Sequence, residues 1–132
     1  MQKVMQIDIT IENKTSFEIP SKKDIKAAIL EILESKKITS DVILGLEIVE
    51  KKEIKKLNKK FRKIDKPTDV LSFPIYEVTP KVADHPILLG DIVICYEEMQ
   101  KNAKLYNVTE ETEFLKLISH STLHLLGFHH KE

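Results

Sequence analysis

The apolar residues of this chain change period along its length, and that switching restricts the fold more than any single motif does. Met5, Ile7, Ile9 and Ile11 alternate with Gln6, Asp8, Thr10 and Glu12, the pattern of a strand with one buried face. Ile25, Ala28, Ile29, Ile32 and Leu33 then recur at helical spacing, so one stripe of a helix faces a core. Pro20-Ser21 opens that helix, with Ser21 as N-cap and Asp24 three residues on to complement it. Val42 to Val49 is mostly apolar, as expected of a strand covered on both faces. Ile54, Leu57, Phe61 and Ile64 give the core stripe of a second helix that runs up to the Pro67 break.

Val70 to Phe73 is a short third strand stopped by Pro74. Tyr76 to Pro86, with two prolines and His85, is a loop longer than the ~4–6 residues usual in compact domains, and such loops often sit near a site. Leu88 to Cys95 forms a fourth strand, and a helix follows over roughly Tyr96 to Tyr106. Thr109 caps the last helix, whose first turn holds Glu110, Glu111 and Glu113 at the positive end of the dipole. Gly127 is its left-handed stop. With 132 residues, no internal repeat and no second core, the expected fold is α+β. One domain, 1–132, holds a small mixed sheet of about four strands packed by about five helices.

Hydrophobic residues make up 42% of the chain, enough for a core and too many for a disordered or low-complexity segment. No apolar run nears the ~18 residues of a membrane span. The first residues read as a strand and not as a secretory signal. Cys95 is the single cysteine, so no internal disulfide forms and a reducing cytoplasm fits best. Its apolar strand makes it a small core residue.

The net charge of zero, from 21 basic and 21 acidic residues, hides an asymmetry. From Lys51 to Lys66 nine Lys or Arg face only Glu53 and Asp65, a local +7. Lys56, Lys59, Lys60 and Lys63 lie away from the apolar stripe, as on any solvated helix face. The same lysines would also serve as a rail for an RNA backbone, whose binding is largely phosphate neutralisation. No sequence-reading RNA module is present, so recognition would rest on backbone and shape or on a partner.

Four of the five histidines lie in the last 13 residues, at His120, His124, His129 and His130. On a helix His120 and His124 are i and i+4, sharing a face about 5–6 Å apart, where two imidazoles can converge on one ion. Gly127 lets the chain reverse and bring His130 back as a third ligand. Three nitrogen donors with an open fourth position is the arrangement of a catalytic zinc site; the alternative is two surface histidines and a histidine-bearing terminus. The zincin-like HxxxHxxGxxH spacing also occurs in metzincin proteases, where a Glu directly after the first His is the general base. Here that position is Ser121, so peptide hydrolysis lacks its proton acceptor.

These residues resemble the YbeY family of bacterial rRNA maturation factors, which are metal-dependent endoribonucleases. Residues 120–130, His-Ser-Thr-Leu-His-Leu-Leu-Gly-Phe-His-His, are similar to its motif HGxLHLxGYDH. Asn58-Lys-Lys-Phe61-Arg62 with Pro67-Thr-Asp-Val-Leu-Ser-Phe-Pro74, and Leu89-Gly-Asp-Ile-Val-Ile94, match two further stretches in the family's order. The resemblance implies one zinc per chain held by His120, His124 and His130, with Arg62 as the family's functionally important arginine. Read from spacing alone, Arg62 is a solvated residue of a basic helix. Its planar fork of donors would hold a phosphate and stabilise transition-state charge.

Three positions depart from the pattern: Ser121 for Gly, Phe128 for Tyr and His129 for Asp. His129 puts an auxiliary base or an extra ligand where relatives carry an acid. The resemblance also implies single-stranded RNA and rRNA as substrate, the small ribosomal subunit and its assembly factors as partners, a cytoplasmic location and no membrane. The expected activity is zinc-dependent single-strand endoribonuclease action in rRNA processing, including 16S rRNA 3′ end maturation, and in small-subunit maturation. The alternatives are a metal-dependent hydrolase of another substrate class and a non-catalytic assembly factor with a structural zinc. Thr68, Asp69 and Ser72 read as turn hydrogen-bonders. Asp91 is either a hydrogen-bond acceptor behind a ligand histidine or a structural acid.

Overall fold

The apolar strands pair into one mixed sheet in the order β1-β2-β4-β3, in a computed structural model that describes residues 5–77, 79–80 and 83–128. Strand β1 is Ile7–Asn13, β2 Val42–Val49, β3 Val70–Pro74 and β4 Ile87–Cys95. β1, β2 and β4 run parallel, and β3 lies antiparallel to β4 at the sheet's edge. Parallel neighbours need a long crossover. Helix α1 (Lys22–Ser35) supplies the first, and α2 (Lys51–Arg62) together with β3 lies in the second. Helices α3 (Tyr96–Tyr106) and α4 (Glu110–Leu125) follow β4.

The strand β4 sorts the two layers by its alternation. Ile92 and Ile94 enter the larger core with Ile29 and Leu33 of α1, Met99 of α3, and Phe114 and Ile118 of α4. Val93 and Cys95 face the other way and meet Val49, Leu71 and Ile54 beneath α2. Full burial of one such side chain contributes about 1.5–3 kcal/mol, so both layers hold the sheet. The N-caps are those expected: Ser21 Oγ accepts from the Asp24 N–H at 3.1 Å, and Thr109 Oγ1 from that of Thr112 at 3.0 Å.

Two expectations need correction. Four helices are present among the described residues, not about five. The apolar stripes account for four, and the proline-bearing 75–86 segment shows no helix among its described residues. The apolar stripe also runs past the end of α2. The helix ends at Arg62 because Lys63 turns left-handed at φ 64°. Asn58, 2% exposed, takes the inward place one turn after Ile54, and its Nδ2 donates to the Lys66 carbonyl at 2.9 Å. That bond folds the chain back on the helix end and leaves Phe61 55% and Ile64 40% exposed.

Candidate functional site

Helix α4 packs its buried stripe of Phe114, Leu117, Ile118, Ser121 and Leu125 inward. His120 and His124 fall on the flank of that stripe, half-buried, with ring centroids 5.7 Å apart and planes at 29°. The i, i+4 spacing therefore brings the imidazoles side by side. Just beyond them the Gly127 N–H bonds the His124 carbonyl at 3.0 Å and the Phe128 N–H that of Leu123 at 3.0 Å. This double bond pattern is a Schellman stop, and Gly127 occupies its left-handed position at φ 93°. The chain thus turns sharply two residues after α4 ends, as the glycine predicts.

The 75–86 segment does border this helix end. Thr79 is buried, and its hydroxyl donates to the Leu125 carbonyl at 3.1 Å. Ala83 is tied to Ser40, its N–H reaching the Ser40 hydroxyl at 2.6 Å. His129 and His130 lie outside the described residues. Among the described residues no group of three His, Cys, Asp or Glu is assembled for a metal. Two imidazoles form a donor pair suited to zinc among other borderline metals, so the donor chemistry fits such an ion as far as the described residues reach.

Ser121, at the position of a metzincin's general base, is 1% exposed and turned into the core, its Oγ without a hydrogen bond among the described residues. It does not share the face of the two histidines. Cys95 is buried in the smaller core, where desolvation pushes its thiol pKa up, in keeping with a packing role.

On the other side of the sheet, α2 presents Lys56, Lys59, Lys60, Arg62 and, just past its end, Lys63, all exposed. None of the five makes an ion pair among the described residues; the cations that do include Lys55 (to Asp65 at 4.0 Å) and Lys14 (to Glu47 at 3.3 Å). The ring of Phe61 meets Phe73 of β3 edge-on, centroids 5.1 Å apart, with Lys60 Nζ 5.3 Å from its own centroid. Arg62 and the histidines thus sit on helices of opposite faces that both border β3.

Asp69 acts as a brace. Its Oδ2 accepts from Asn102 of α3 at 2.9 Å, its Oδ1 from the Thr68 hydroxyl at 3.3 Å, and its carbonyl from the Cys95 N–H at 2.9 Å. Asp91 pairs in register with Gly45 and Phe73. It shares a shallow cavity of about 420 Å³ with Thr10, Glu12, Gly45 and Glu47. Phe73 packs in the α2 layer, so Asp91 points to the face away from α4, and the structural reading is the one that fits. From sequence, Asn58 is only a member of the family stretch and Phe61 a member of the buried stripe, so the inward amide and the exposed ring are both departures. A polar residue inside an apolar stripe was the available signal for the first.

The geometry defines a small α+β protein with two imidazoles on one side of an edge strand and a cluster of exposed cations on the other. Residues 8–132 match the family model described as Endoribonuclease YbeY, and the chain belongs to that family. It is 43% identical over 123 residues to the Endoribonuclease YbeY of Aliarcobacter butzleri, covering 93% of this chain and 79% of that one. It is 39% identical over 127 residues to that of Mycoplasmopsis pulmonis, covering 94% and 83%. Among solved structures, the solution structure of a Thermotoga maritima protein is similar, with TM-score 0.58 and 34% identity over 96% of this chain and 75% of that one.

Proposed function

We propose that this protein is a zinc-dependent endoribonuclease of single-stranded RNA that works in the cytoplasm on rRNA, including the 3′ end of 16S rRNA, during small-subunit maturation. The carrying observation is the side-by-side pair His120 and His124, in a chain of the Endoribonuclease YbeY family. His120, His124 and His130 would hold the zinc, with His129 as an auxiliary group. Bound there, zinc supplies Lewis acidity toward a phosphoryl oxygen and acidifies water.

The chain's own cations do the rest. Lys56, Lys59, Lys60 and Lys63 neutralise backbone phosphates, and their lack of acidic partners among the described residues leaves them available. Arg62 clamps the reacting phosphate through two donors and stabilises the charge that builds on it. The inward turn of Ser121 speaks against peptide hydrolysis, because no base occupies the position that reaction uses.

Single-turnover cleavage at saturating enzyme, with metal analysis of each variant, tests the assignment. His124→Ala should lose zinc while Cys95→Ala keeps it. Arg62→Lys keeps the charge and loses the planar fork; it should cut the cleavage rate by ~10²–10³ at unchanged zinc and RNA affinity, on the scale of losing one well-aimed donor. Lys59→Ala should weaken binding and spare the chemical step. Equal losses for Arg62→Lys and Lys59→Ala would reduce Arg62 to one more rail residue. Retained zinc in His124→Ala would refute the ligand set.

A further inference from the structure

An aromatic ring left more than half in water at the end of a basic helix needs an explanation that the catalytic reading does not supply. Phe61 is 55% exposed, yet it is not loose. The edge-on contact with Phe73 at 5.1 Å holds it against β3, and it occupies the last turn of α2 beside Arg62. The ring therefore pays little conformational entropy on binding a flat partner. Its surroundings select the partner's charge. Lys59, Lys60, Arg62 and Lys63 crowd the same turn without acidic partners among the described residues, and Lys60 Nζ lies over one face of the ring, 5.3 Å from its centroid, on an exposed, flexible side chain that an incoming base can displace. A cation that near the ring is within the span between a nucleotide's base and its own phosphate. A neutral apolar peptide would find no complement to these four positive charges.

We infer that Phe61 is a stacking platform for one unpaired nucleobase, with Lys60 and Arg62 gripping the phosphates that flank it. This rests on the proposed RNA substrate and adds the source of strand preference. A base inside a duplex has both faces covered, whereas a single strand can offer one to the ring. Stacking of this kind tolerates every base, in keeping with the absence of a sequence-reading module. Phe61 is then a positioning residue that sets which linkage lies near Arg62.

The chain contains no tryptophan, so Phe61→Trp in the full protein gives a single indole reporter at the platform. The probe is a short single-stranded RNA of mixed sequence, 2′-O-methylated to block attack by its own hydroxyl and checked for length after each titration. Its control is the abasic strand of the same length and charge. Stacking predicts that the RNA quenches the indole and the abasic strand does not. It also predicts that the unsubstituted protein binds the abasic strand about tenfold or more weakly, and that Phe61→Leu erases the difference while leaving the salt dependence intact. Equal affinity of the unsubstituted protein for both strands, or binding without quenching, would overturn the platform and leave the RNA reading standing. Failure of both strands to bind even at low salt would overturn the two together. Capture of a protein partner with unchanged RNA binding in Phe61→Leu would assign the ring elsewhere and likewise overturn it.

Discussion

Gly90 lies where β4 departs from regular pairing. Ile43 is opposite Leu88 but Leu44 is opposite Gly90, so Leu89 is the extra residue of a bulge. On the other side Gly90 faces Pro74, the last residue of β3. Its φ of +131° is a region that L side chains rarely adopt, and a Cβ added there would run into the Phe73 carbonyl oxygen, with the carbonyl carbon and Pro74 Cα each at 3.0 Å. Gly90→Ala therefore meets backbone on both counts, and nothing can swing aside without parting β3 from β4. Backbone strain of this kind costs about 1–3 kcal/mol, and forced overlap in a packed site costs about 1–3 kcal/mol more. The expected loss is about 2–6 kcal/mol, against a total of about 5–15 for a domain.

Urea titration followed by far-UV circular dichroism reads this as a lowered midpoint at unchanged slope. The neighbouring row supplies the control. A Cβ on Gly45 would meet only the carboxylate end of Asp91, a side chain that can turn away. Gly45→Ala should cost well under Gly90→Ala, and Asp91→Ala should relieve most of what it does cost. A Gly90→Ala protein within about 0.5 kcal/mol of the parent, or a Gly45→Ala protein equally damaged, would show that the strain argument is wrong.

Two further outcomes follow from single contacts. Burial first, and then the bond to Glu110 at 2.9 Å, push the Tyr96 hydroxyl up to about 12. The folded state keeps this proton where the unfolded chain, near 10, has lost it. Tyr96 thus gives stability that is intact below pH 10 and declines from about 10 toward 12; urea midpoints of Tyr96→Phe should lose that part of the decline, and identical profiles for the two proteins would refute it. Asn58→Ala removes the bond that folds residues 63–66 back on α2. It should cost about 1–2 kcal/mol and speed tryptic cleavage after Lys63, whereas an unchanged cleavage rate would mean the segment is held by other contacts.

What was legible in the sequence was what neighbours along the chain decide. Val42–Val49 and Tyr96–Tyr106 emerge with the boundaries their patterns predict, and Gly127 ends α4 as only a residue tolerant of positive φ does easily. The i, i+4 histidine pair is equally local, so its juxtaposition needed only a helix. The apolar period overshoots the end of α2, because Lys63 turns left-handed there and the buried Asn58 ties the chain back through the Lys66 carbonyl. Ile64 continues the apolar period but not the helix. Likewise the sheet order β1-β2-β4-β3 depends on which strands meet after the crossovers close, and apolar period alone is silent on pairing. Asp91 shows the same limit: its strand was evident, but the face it takes depends on the bulge two residues before it.

The strand β3 explains how the two halves of the proposed site are held in relation to each other. Its alternation sends Val70 into the core layer of α4 and Leu71 and Phe73 into the layer of α2. Ser72 pairs with Ile92, a residue of the α4 layer, and Phe73 pairs with Asp91. One five-residue strand thus touches the histidine helix with one set of side chains and props the Phe61 ring with the other. Period-2 geometry makes the two sets inseparable, because a slip of one residue would exchange them. Gly90 and Pro74 fix that register from the far end, and Asp69 fixes it from the near end through α3 and Cys95. The short Thr68–Pro74 stretch therefore acts through position. It contributes no group to the proposed chemistry, and it is what sets the basic helix and the paired imidazoles at a common edge.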